Sequence, residues 1–456
     1  MRKRRKVFLA LLVCMSCLLS ACGKAGGETN IDQNTEQNQT DASEEKDIRN
    51  DIQEVQEYVQ PEMKGEITIS CLSENEFLSA AAKQFMDLYP DVTITINASE
   101  AGTVEEYQTY LNTRIMSGKA EDIIFNSFLP MAKYSEMGVF EDLNKYISMT
   151  PEFNDENYFM NVLQAARQDG GEIYMIPYMA SFSVIGFSDG LLEGQTDIRS
   201  TLETWEKAGF SQSVNLVRQL VTETEKKNVF LIHSNELSYT NSLLGDSLEK
   251  FIDVEERKVY LDNTEYIDLL NAVKELSAQD LFGSNVSFYN EDYSFAISKD
   301  YDVQAAYYCL AQDSDQTYCM PLMDAKGNVV INANYCIALN SASGNKDLAW
   351  EFMKYLLSED VQTLPSLHGL AVNRQGFEAS VARYHTFYEN NNSGIEEAEY
   401  GALLAGWMEQ VNSCDLVDPV IWDLLNAENE KFFSGMQTAE QTAKNLQKQI
   451  DQYFNE

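Results

Sequence analysis

The sequence predicts an α/β fold built on a doubly wound parallel sheet, and three observations support this prediction. Short β-rich or alternating apolar segments recur at residues 67–71, 92–96 and 123–125. Segments with apolar residues at helical spacing separate them, at residues 77–88 and 104–115. The connections are short, so the order β-α-β-α-β indicates parallel neighbouring strands. With 456 residues, the chain is long enough for two to three domain-sized units.

The ends of the helices are also marked in the sequence. Pro90 bars continuation of the first helix, and Gly118 is typical of the residue that follows a helix C-terminus. Near the end of the sequence, one helix is predicted from about residue 419 to residue 433, and the next begins at a capping box, Thr438-x-x-Gln441. Further elements are predicted as a strand over residues 173–178, a strand over residues 331–339, and a helix carrying Ala349, Phe352, Met353 and Leu356.

The charge balance excludes several classes of protein. There are 33 Lys and Arg against 72 Asp and Glu, which gives a formal net charge of −39. A surface this negative repels phosphate backbones and anionic lipid headgroups, so we expect no nucleic-acid partner and no flat association with a membrane. Apolar residues at 44% and charged residues at 23% are ordinary globular values, which excludes a wholly disordered or collagen-like chain.

The N-terminal segment is typical of an exported lipoprotein. Basic residues occupy positions 2–6, and an apolar run of about 13 residues follows at 7–19. This run is too short to span a bilayer, which needs roughly 20 residues, but it suits a secretory signal. Leu19-Ser20-Ala21-Cys22 resembles a bacterial lipobox. The resemblance implies removal of residues 1–21 and lipidation of Cys22, so that lipid alone attaches the protein to the outer face of the cell membrane. The alternative is a plain signal peptide that ends near a cysteine.

Residues 22–63 differ in composition from the rest of the chain. They are polar, acidic and almost free of aromatic residues, so they cannot bury enough apolar surface to become ordered. We expect a disordered tether, which at about 40 residues would span roughly 35 Å. The body beyond it could then move and dock beside its anchor.

The cysteines and histidines predict neither a disulfide framework nor a metal site. Without the signal segment and Cys22, an odd number of cysteines remains at irregular spacings, and small buried apolar residues are the favoured interpretation. One bridge among Cys309, Cys319 and Cys336 is left open. The histidines show no ligand spacing, and we expect no metal and no cofactor. The residues concerned are Cys71, Cys309, Cys319, Cys336, Cys414, His233, His368 and His385.

Short motifs that recur in a known family occur here in the family's order. They are Phe85-x-x-x-Tyr89-Pro90-Asp91-Val92, SGKAEDIIF at 117–125, GEIYMIPY at 171–178, TWE at 204–206, SGNKDLAWEF at 343–352, LAVNR at 370–374 and the closing helix at 438–449. From residue 65 onward the chain resembles bacterial extracellular solute-binding proteins of the maltose-binding-like class. Two positions depart from the family pattern: Glu121 stands where proline is usual, and FSDGL at 187–191 lacks a familiar asparagine.

The resemblance implies the type 2 periplasmic-binding protein fold. In that fold, two α/β lobes with doubly wound sheets are joined by hinge strands, and a ligand is held in the cleft between them. Carried onto this chain, the N-terminal lobe would comprise residues 64–178 plus 336–372. The C-terminal lobe would comprise residues 179–335 plus 373–456. Closure of the cleft would be a population shift driven by contacts that both lobes make with the ligand.

Trp422 is the strongest candidate for ligand contact. It shares a helix face with Asn426 and Asn429, and aromatic faces beside amides are suited to sugar rings and their hydroxyls. It also resembles, by position, a ligand-stacking tryptophan of maltose-binding relatives. The alternative is a tryptophan that packs between helices, as we expect for Trp205, Trp350 and Trp407.

Other candidates follow strands of the predicted sheets. Asn126 and Ser127 come directly after the strand at 123–125, and Glu74 follows the first strand, at the edge where α/β sheets bind ligands. In the expected hinge, Tyr178 contacts either the ligand or the core. The remaining candidates are Ser181 in the hinge, Tyr239 and Tyr301 from the family resemblance, and Ser73 and Asn75, which could instead cap the first helix.

The sequence therefore indicates a binding protein of an ABC importer. We expect a monomer that delivers a carbohydrate, with an oligosaccharide favoured, to permease subunits. The sequence contains no G-x-S-x-G, H-E-x-x-H, P-loop or G-x-G-x-x-G motif, so no catalytic residues are predicted. Two alternatives stay open: a sensory lipoprotein that signals to a membrane receptor, and a secreted glycan-acting enzyme.

Overall fold

The computed structural model describes most of the chain beyond residue 59. The described residues are 60–73, 75–99, 103–125, 131–168, 170–181, 183–188, 236–245, 248–254, 256–278, 295–299, 317–321, 328–389, 395–415 and 418–455. Among them, no helix is long and apolar enough to cross a bilayer.

The strands and helices alternate along the chain. The strands are β1 (Gly65–Cys71), β2 (Val92–Ala98), β3 (Ile123–Phe125), β4 (Met175–Pro177), β5 (Met179–Ala180), β6 (Ser183–Ser188), β7 (Ile252–Asp253), β8 (Lys258–Val259), β9 (Phe295–Lys299), β10 (Thr317–Pro321), β11 (Val329–Asn332), β12 (Cys336–Leu339), β13 (Leu370–Ala371) and β14 (Val411–Asp415). The helices are α1 (Glu76–Leu88), α2 (Val104–Met116), α3 (Met131–Glu136), α4 (Asn144–Met149), α5 (Met160–Leu163), α6 (Glu236–Gly245), α7 (Thr264–Ser277), α8 (Lys346–Leu356), α9 (Glu359–Gln362), α10 (Arg374–Glu389), α11 (Glu397–Gln410), α12 (Pro419–Phe433) and α13 (Ala439–Asn455).

The first sheet has five strands in the order β2-β1-β3-β12-β4. Strand β1 is parallel to both β2 and β3, whereas β12 is antiparallel to its neighbours β3 and β4. Helices α1 and α2 connect the three parallel strands in the predicted β-α-β-α-β order. The α/β fold class predicted from the sequence is therefore confirmed.

Local signals in the sequence account for the ends of these helices. The Asn75 side chain accepts a hydrogen bond from Leu78 N at 3.1 Å, so Asn75 is the N-cap of α1. Helix α2 ends before Gly118, whose φ of +66° is the left-handed conformation that glycine adopts without strain. In contrast, Leu88, predicted on the apolar face of α1, is 57% exposed.

The prediction of one strand over residues 331–339 is wrong. The segment forms β11, then a single 3-10 turn at Ala333–Tyr335, then β12. Strand β11 pairs with β14, whereas β12 enters the first sheet. The turn forms because the Asn332 side chain accepts a hydrogen bond from Asn334 N at 3.0 Å, which caps the turn and ends the extended run.

The remaining strands form small sheets. Strands β10-β6-β9 form a three-stranded antiparallel sheet, and β5 pairs antiparallel with β13. Strands β7 and β8 form a hairpin. The β5–β13 pair joins segments that are far apart in sequence, where the resemblance places the hinge.

The buried apolar side chains form two clusters. The first cluster surrounds the five-stranded sheet and includes Phe85, Phe125 and Trp350. The second cluster is formed by α6, α7, α12, α13 and residues 248–261. Side chains of α10 and α11 belong to the first cluster, although the predicted boundary at residue 373 assigns them to the C-terminal lobe. The lobe boundaries stay a prediction.

The described cysteines are buried. Cys71 and Cys336 are 0% exposed and Cys414 is 7% exposed, as expected for small apolar side chains, and Cys336 is a free thiol. Cys309 lies outside the described residues, and only the backbone of Cys319 is described.

The last two helices have the predicted boundaries, and a buried carboxylate joins them. The capping box is present: Thr438 N donates to Gln441 Oε1 at 3.0 Å, and Gln441 N donates to Thr438 Oγ1 at 3.3 Å. Glu428 of α12 is 2% exposed and lies against α13. It accepts hydrogen bonds from Lys431 Nζ at 2.5 Å, Gln437 Nε2 at 2.9 Å, Asn445 Nδ2 at 3.1 Å and Gln449 Nε2 at 3.0 Å.

This arrangement stabilises the ionised form of Glu428. Burial opposes ionisation, but the hydrogen bonds outweigh it and lower the pKa of Glu428 from 4.5 to about 2. A lowered pKa in the folded state contributes stability above the unfolded-state pKa. That contribution is lost as the pH falls through the range from about 4.5 to about 2.

We expect Glu428→Gln to lower the free energy of unfolding by roughly 1–3 kcal/mol at pH 7, because the four donors lose the charged acceptor that Glu428 places at a buried position. The difference from the unmodified protein should shrink at pH 3, because this pH lies below the unfolded-state pKa of 4.5, where the contribution of Glu428 to stability is already partly lost. Urea unfolding at both pH values measures this, with Glu430→Gln on the exposed side of α12 as the control. A difference that is the same at pH 7 and pH 3 would contradict the assignment.

Candidate functional site

Some of the predicted site residues are described and others are not. Trp422, Asn426, Tyr178 and Ser181 are described, and the backbone of Tyr239 lies in α6. Outside the described residues lie Glu74, Asn126, Ser127, Tyr301, Trp205 and Cys22.

The strands that precede Glu74 and Asn126 end at the same edge of the first sheet. Ile69 of β1 pairs with Ile123 of β3, and the next pair is Ser70 with Ile124. Because the two strands are parallel and in register, their carboxyl ends meet at one edge. This is the edge at which open α/β sheets bind ligands.

Tyr178 lies in the core. Its ring is 3% exposed and stacks on Phe77 at 5.6 Å and on Phe125 at 4.6 Å between centroids. Burial is the main reason why the pKa of Tyr178 is raised far above its ordinary value. This environment corresponds to the packing alternative, and contact between Tyr178 and a ligand stays a prediction.

A buried amide joins the segments that cross in the expected hinge. Gln362 of α9 is 0% exposed. Its Nε2 donates to Tyr178 O and to Leu356 O, both at 2.9 Å, and its Oε1 accepts from Val372 N at 2.9 Å. Gln362 thereby links the end of β4 to the end of β13. The sequence shows no signal for this role, because its partners are backbone groups 10 and 184 positions away.

Ser181, at the end of β5, is also part of this crossing. Its side chain is 3% exposed, and its carbonyl oxygen accepts a hydrogen bond from Asn332 N at 3.1 Å. The segment that follows β5 is thereby tied to β11. Contact between the Ser181 hydroxyl and a ligand stays a prediction.

Trp422 differs from the other described tryptophans. Trp350 is 0% exposed and Trp407 is 3% exposed, so both are core residues, as expected. Trp422 is only partly buried: one part of the indole packs against the second cluster and the rest is exposed. It lies in the first turn of α12.

The amides on α12 have different environments. Asn426, one turn after Trp422, accepts a hydrogen bond through Oδ1 from Asn241 Nδ2 of α6 at 2.7 Å. Asn429 does not extend this face, because it is 0% exposed and accepts a hydrogen bond from the buried Tyr266 hydroxyl at 2.8 Å. The structure therefore brings Trp422 and Asn426 together beside the helix that carries Tyr239.

The N-terminus of α12 is fixed by Asp418. Its Oδ1 accepts from Val420 N at 2.9 Å, and its Oδ2 accepts from the Tyr453 hydroxyl of α13 at 2.6 Å. We did not assign Asp418 from the sequence, although an Asp before a proline at the first helical position is a known N-cap signal. Among the described residues, no group of three or more His, Cys, Asp or Glu side chains is placed to hold a metal ion.

The chain matches the sequence profile of the bacterial extracellular solute-binding proteins over residues 72–363. It belongs to this family. No curated protein matches the chain in sequence.

Solved structures share the fold at low sequence identity. An ABC substrate-binding protein from Listeria monocytogenes, in complex with cycloalternan, is 16% identical, with 86% of this chain and 99% of that chain covered and a TM-score of 0.54. The sugar-binding protein MalE from Xanthomonas citri is 13% identical, with 86% and 98% covered and a TM-score of 0.56. The maltose/maltodextrin-binding domain MalE from Bdellovibrio bacteriovorus, bound to maltotriose, is 16% identical, with 86% and 100% covered and a TM-score of 0.53. These matches confirm the predicted two-lobe solute-binding fold.

We expect Gln362→Leu to lower the free energy of unfolding by roughly 1–3 kcal/mol, because Val372 N and Tyr178 O lose their buried partner. Urea unfolding measures the loss. The control is Thr363→Val, which removes a hydroxyl that bonds to Glu359 O within its own helix. Equal effects of the two substitutions would show that Gln362 has no special role at the crossing.

Proposed function

We propose that the protein is the lipid-anchored binding component of an ABC importer and that it captures a carbohydrate, with an oligosaccharide favoured. Family membership supports a solute-binding role outside the cytoplasm. The carbohydrate class is supported by the matched structures that are described with cycloalternan and with maltotriose. In this role, the ligand is bound and released without chemical change.

The observation that carries the carbohydrate proposal is the environment of Trp422. A partly exposed indole offers an apolar face for the C–H groups of a sugar ring. Beside it, the oxygen of Asn426 is already bonded to Asn241, so its NH₂ group is the part available to donate to a sugar hydroxyl. An apolar ring face and a hydrogen-bond donor thus lie one helical turn apart.

A captured ligand would contact elements that pack on each of the two apolar clusters. The sheet edge after β1 and β3 belongs to the first cluster, and Trp422 packs on the second. A ligand that contacts both has a higher affinity for the closed arrangement than for the open one. It therefore shifts the population towards closure. The closed form would then be presented to the permease subunits.

A thermal-shift screen of the protein against glycans, amino acids and peptides tests the proposed ligand class. We expect at least one glycan to raise the melting temperature. Ligand at 100 times its Kd adds about 2.7 kcal/mol of stability, which such a screen detects. A clear response to a peptide, with none to any glycan, would overturn the carbohydrate assignment.

Variants at position 422 locate the site in the same assay. We expect Trp422→Ala to fold normally and to lose most of the affinity for the glycan, whereas Trp422→Phe retains part of it because an aromatic face remains. Met436→Ala, in a residue that is 78% exposed beyond the end of α12, is the surface control. Unchanged affinity in Trp422→Ala would remove this residue from the site.

The lipid anchor has a separate test. We expect Cys22→Ser to move the protein from the membrane fraction to the soluble extracytoplasmic fraction, because the residue that would carry the lipid is removed. Cys14→Ser and Cys17→Ser, in the preceding apolar run, are matched controls that should leave the protein in the membrane fraction. A Cys22→Ser protein that stays in the membrane fraction would contradict lipidation at this position.

A further inference from the structure

Helix α3 belongs to the first cluster but contacts elements of the second. Its Tyr134 is 5% exposed and packs edge-on against Phe140, with 6.1 Å between ring centroids. Two side chains on elements of the second cluster contact α3: Arg257 pairs with Glu136, and the ring of Tyr453 lies under Lys133. The contact therefore joins the two halves that the proposed function requires to close.

The outermost contact is an ion pair. Arg257 Nη2 lies 2.5 Å from Glu136 Oε2, and the two side chains are 54% and 55% exposed. Water screens a pair this exposed, so it contributes little to folding. A pair that is present in one arrangement of two folded halves and absent from another can still shift the equilibrium between those arrangements.

The backbone of Arg257 adds a second observation. Its φ is +51°, the left-handed conformation, and it is the one non-glycine residue with positive φ in the described part of the chain. It lies in the turn between β7 and β8, where Asp253 Oδ1 accepts from Glu256 N at 2.8 Å. Glycine and asparagine are favoured at such turn positions because other residues adopt the left-handed conformation at a cost in free energy. Arg257 bears this cost and places a long cationic side chain in the turn.

Two further contacts link α3 to the N-terminus of α12. Lys133 Nζ is 5.5 Å from the centre of the Tyr453 ring, within the range of a cation–π contact. The Tyr453 hydroxyl donates to Asp418, which is 4% exposed and caps α12 four residues before Trp422. Burial and, to a smaller extent, the nearby Asp418 carboxylate raise the pKa of Tyr134 to about 12. The Asp418 carboxylate is thus close enough to α3 to act on Tyr134 electrostatically.

Both sides of this contact connect directly to the proposed ligand residues. Helix α3 begins four residues after Ser127, and α12 begins at the cap formed by Asp418. We propose that Glu136, Lys133, Arg257 and Tyr453 are positioning residues that form a clasp between the two halves. The α3 clasp, defined by these four residues, holds the first turn of α12 and its Trp422 in position relative to α3. The proposal rests on the proposed function.

Hydrogen exchange of the full-length mature protein without ligand tests the α3 clasp. We expect Arg257→Gly to accelerate exchange roughly twofold to fivefold in residues 131–140 and in the first turn of α12, neither of which contains the substitution. The melting temperature should stay the same or rise, because glycine adopts the left-handed turn conformation without strain. The reciprocal variant, Glu136→Gln, should accelerate exchange in residues 252–261.

The matched control is Lys258→Ala, which removes the neighbouring cation that pairs with Glu256 in its own hairpin at 3.2 Å. It should leave exchange in α3 unchanged. The charge-reversed pair Glu136→Arg with Arg257→Glu should restore slow exchange on both sides. Faster exchange confined to the β7–β8 hairpin in Arg257→Gly, or an equal effect of Lys258→Ala, would overturn the clasp.

These outcomes are separate from the ligand screen. Because exchange is measured without ligand, a screen that finds no glycan leaves the result on the α3 clasp unchanged. Conversely, a glycan that binds normally to Arg257→Gly would support the carbohydrate proposal. It would at the same time show that the clasp does not position Trp422.

Discussion

The arrangement of the molecule depends on how the chain crosses between the five-stranded sheet and the β5–β13 pair. Each crossing segment carries backbone groups that must be bonded because they are buried. The Gln362 side chain bonds to the backbone of two of these segments, at Tyr178 O and Val372 N. In a third segment, the backbone N–H of Asn332 donates to Ser181 O. In the proposed closure, the two halves would move around a crossing whose own hydrogen bonds stay made.

Much of the first sheet and its helices could be predicted because their signals are local. Apolar periodicity, Asn75 as a cap, Gly118 after a helix and the capping box at Thr438 each act within four residues. The single strand predicted over residues 331–339 was wrong for the opposite reason. Residues 331–339 contain no glycine or proline that would mark a break, and the hydrogen bond of the Asn332 side chain divides the segment between two sheets.

The proximity of Trp422 and Asn426 could be predicted from the sequence, but the contacts that fix Asn426 and Asn429 could not. Trp422 and Asn426 share a face by helical spacing, which the sequence shows directly. The partner of Asn426 is Asn241, 185 positions earlier, and the partner of Tyr266 is Asn429, 163 positions later. Periodicity carries no information at such separations. Asn429 could therefore not be distinguished from a ligand residue until its buried hydroxyl partner was known.

The partial exposure of Trp422 has a practical consequence for spectroscopy. Indole emission shifts and quenches according to contact with water, and the other two described tryptophans are shielded from it. A neutral quencher such as acrylamide would therefore act mainly on Trp422 among these three. Trp422 would then serve as an optical probe at the proposed position of sugar contact, without an attached dye.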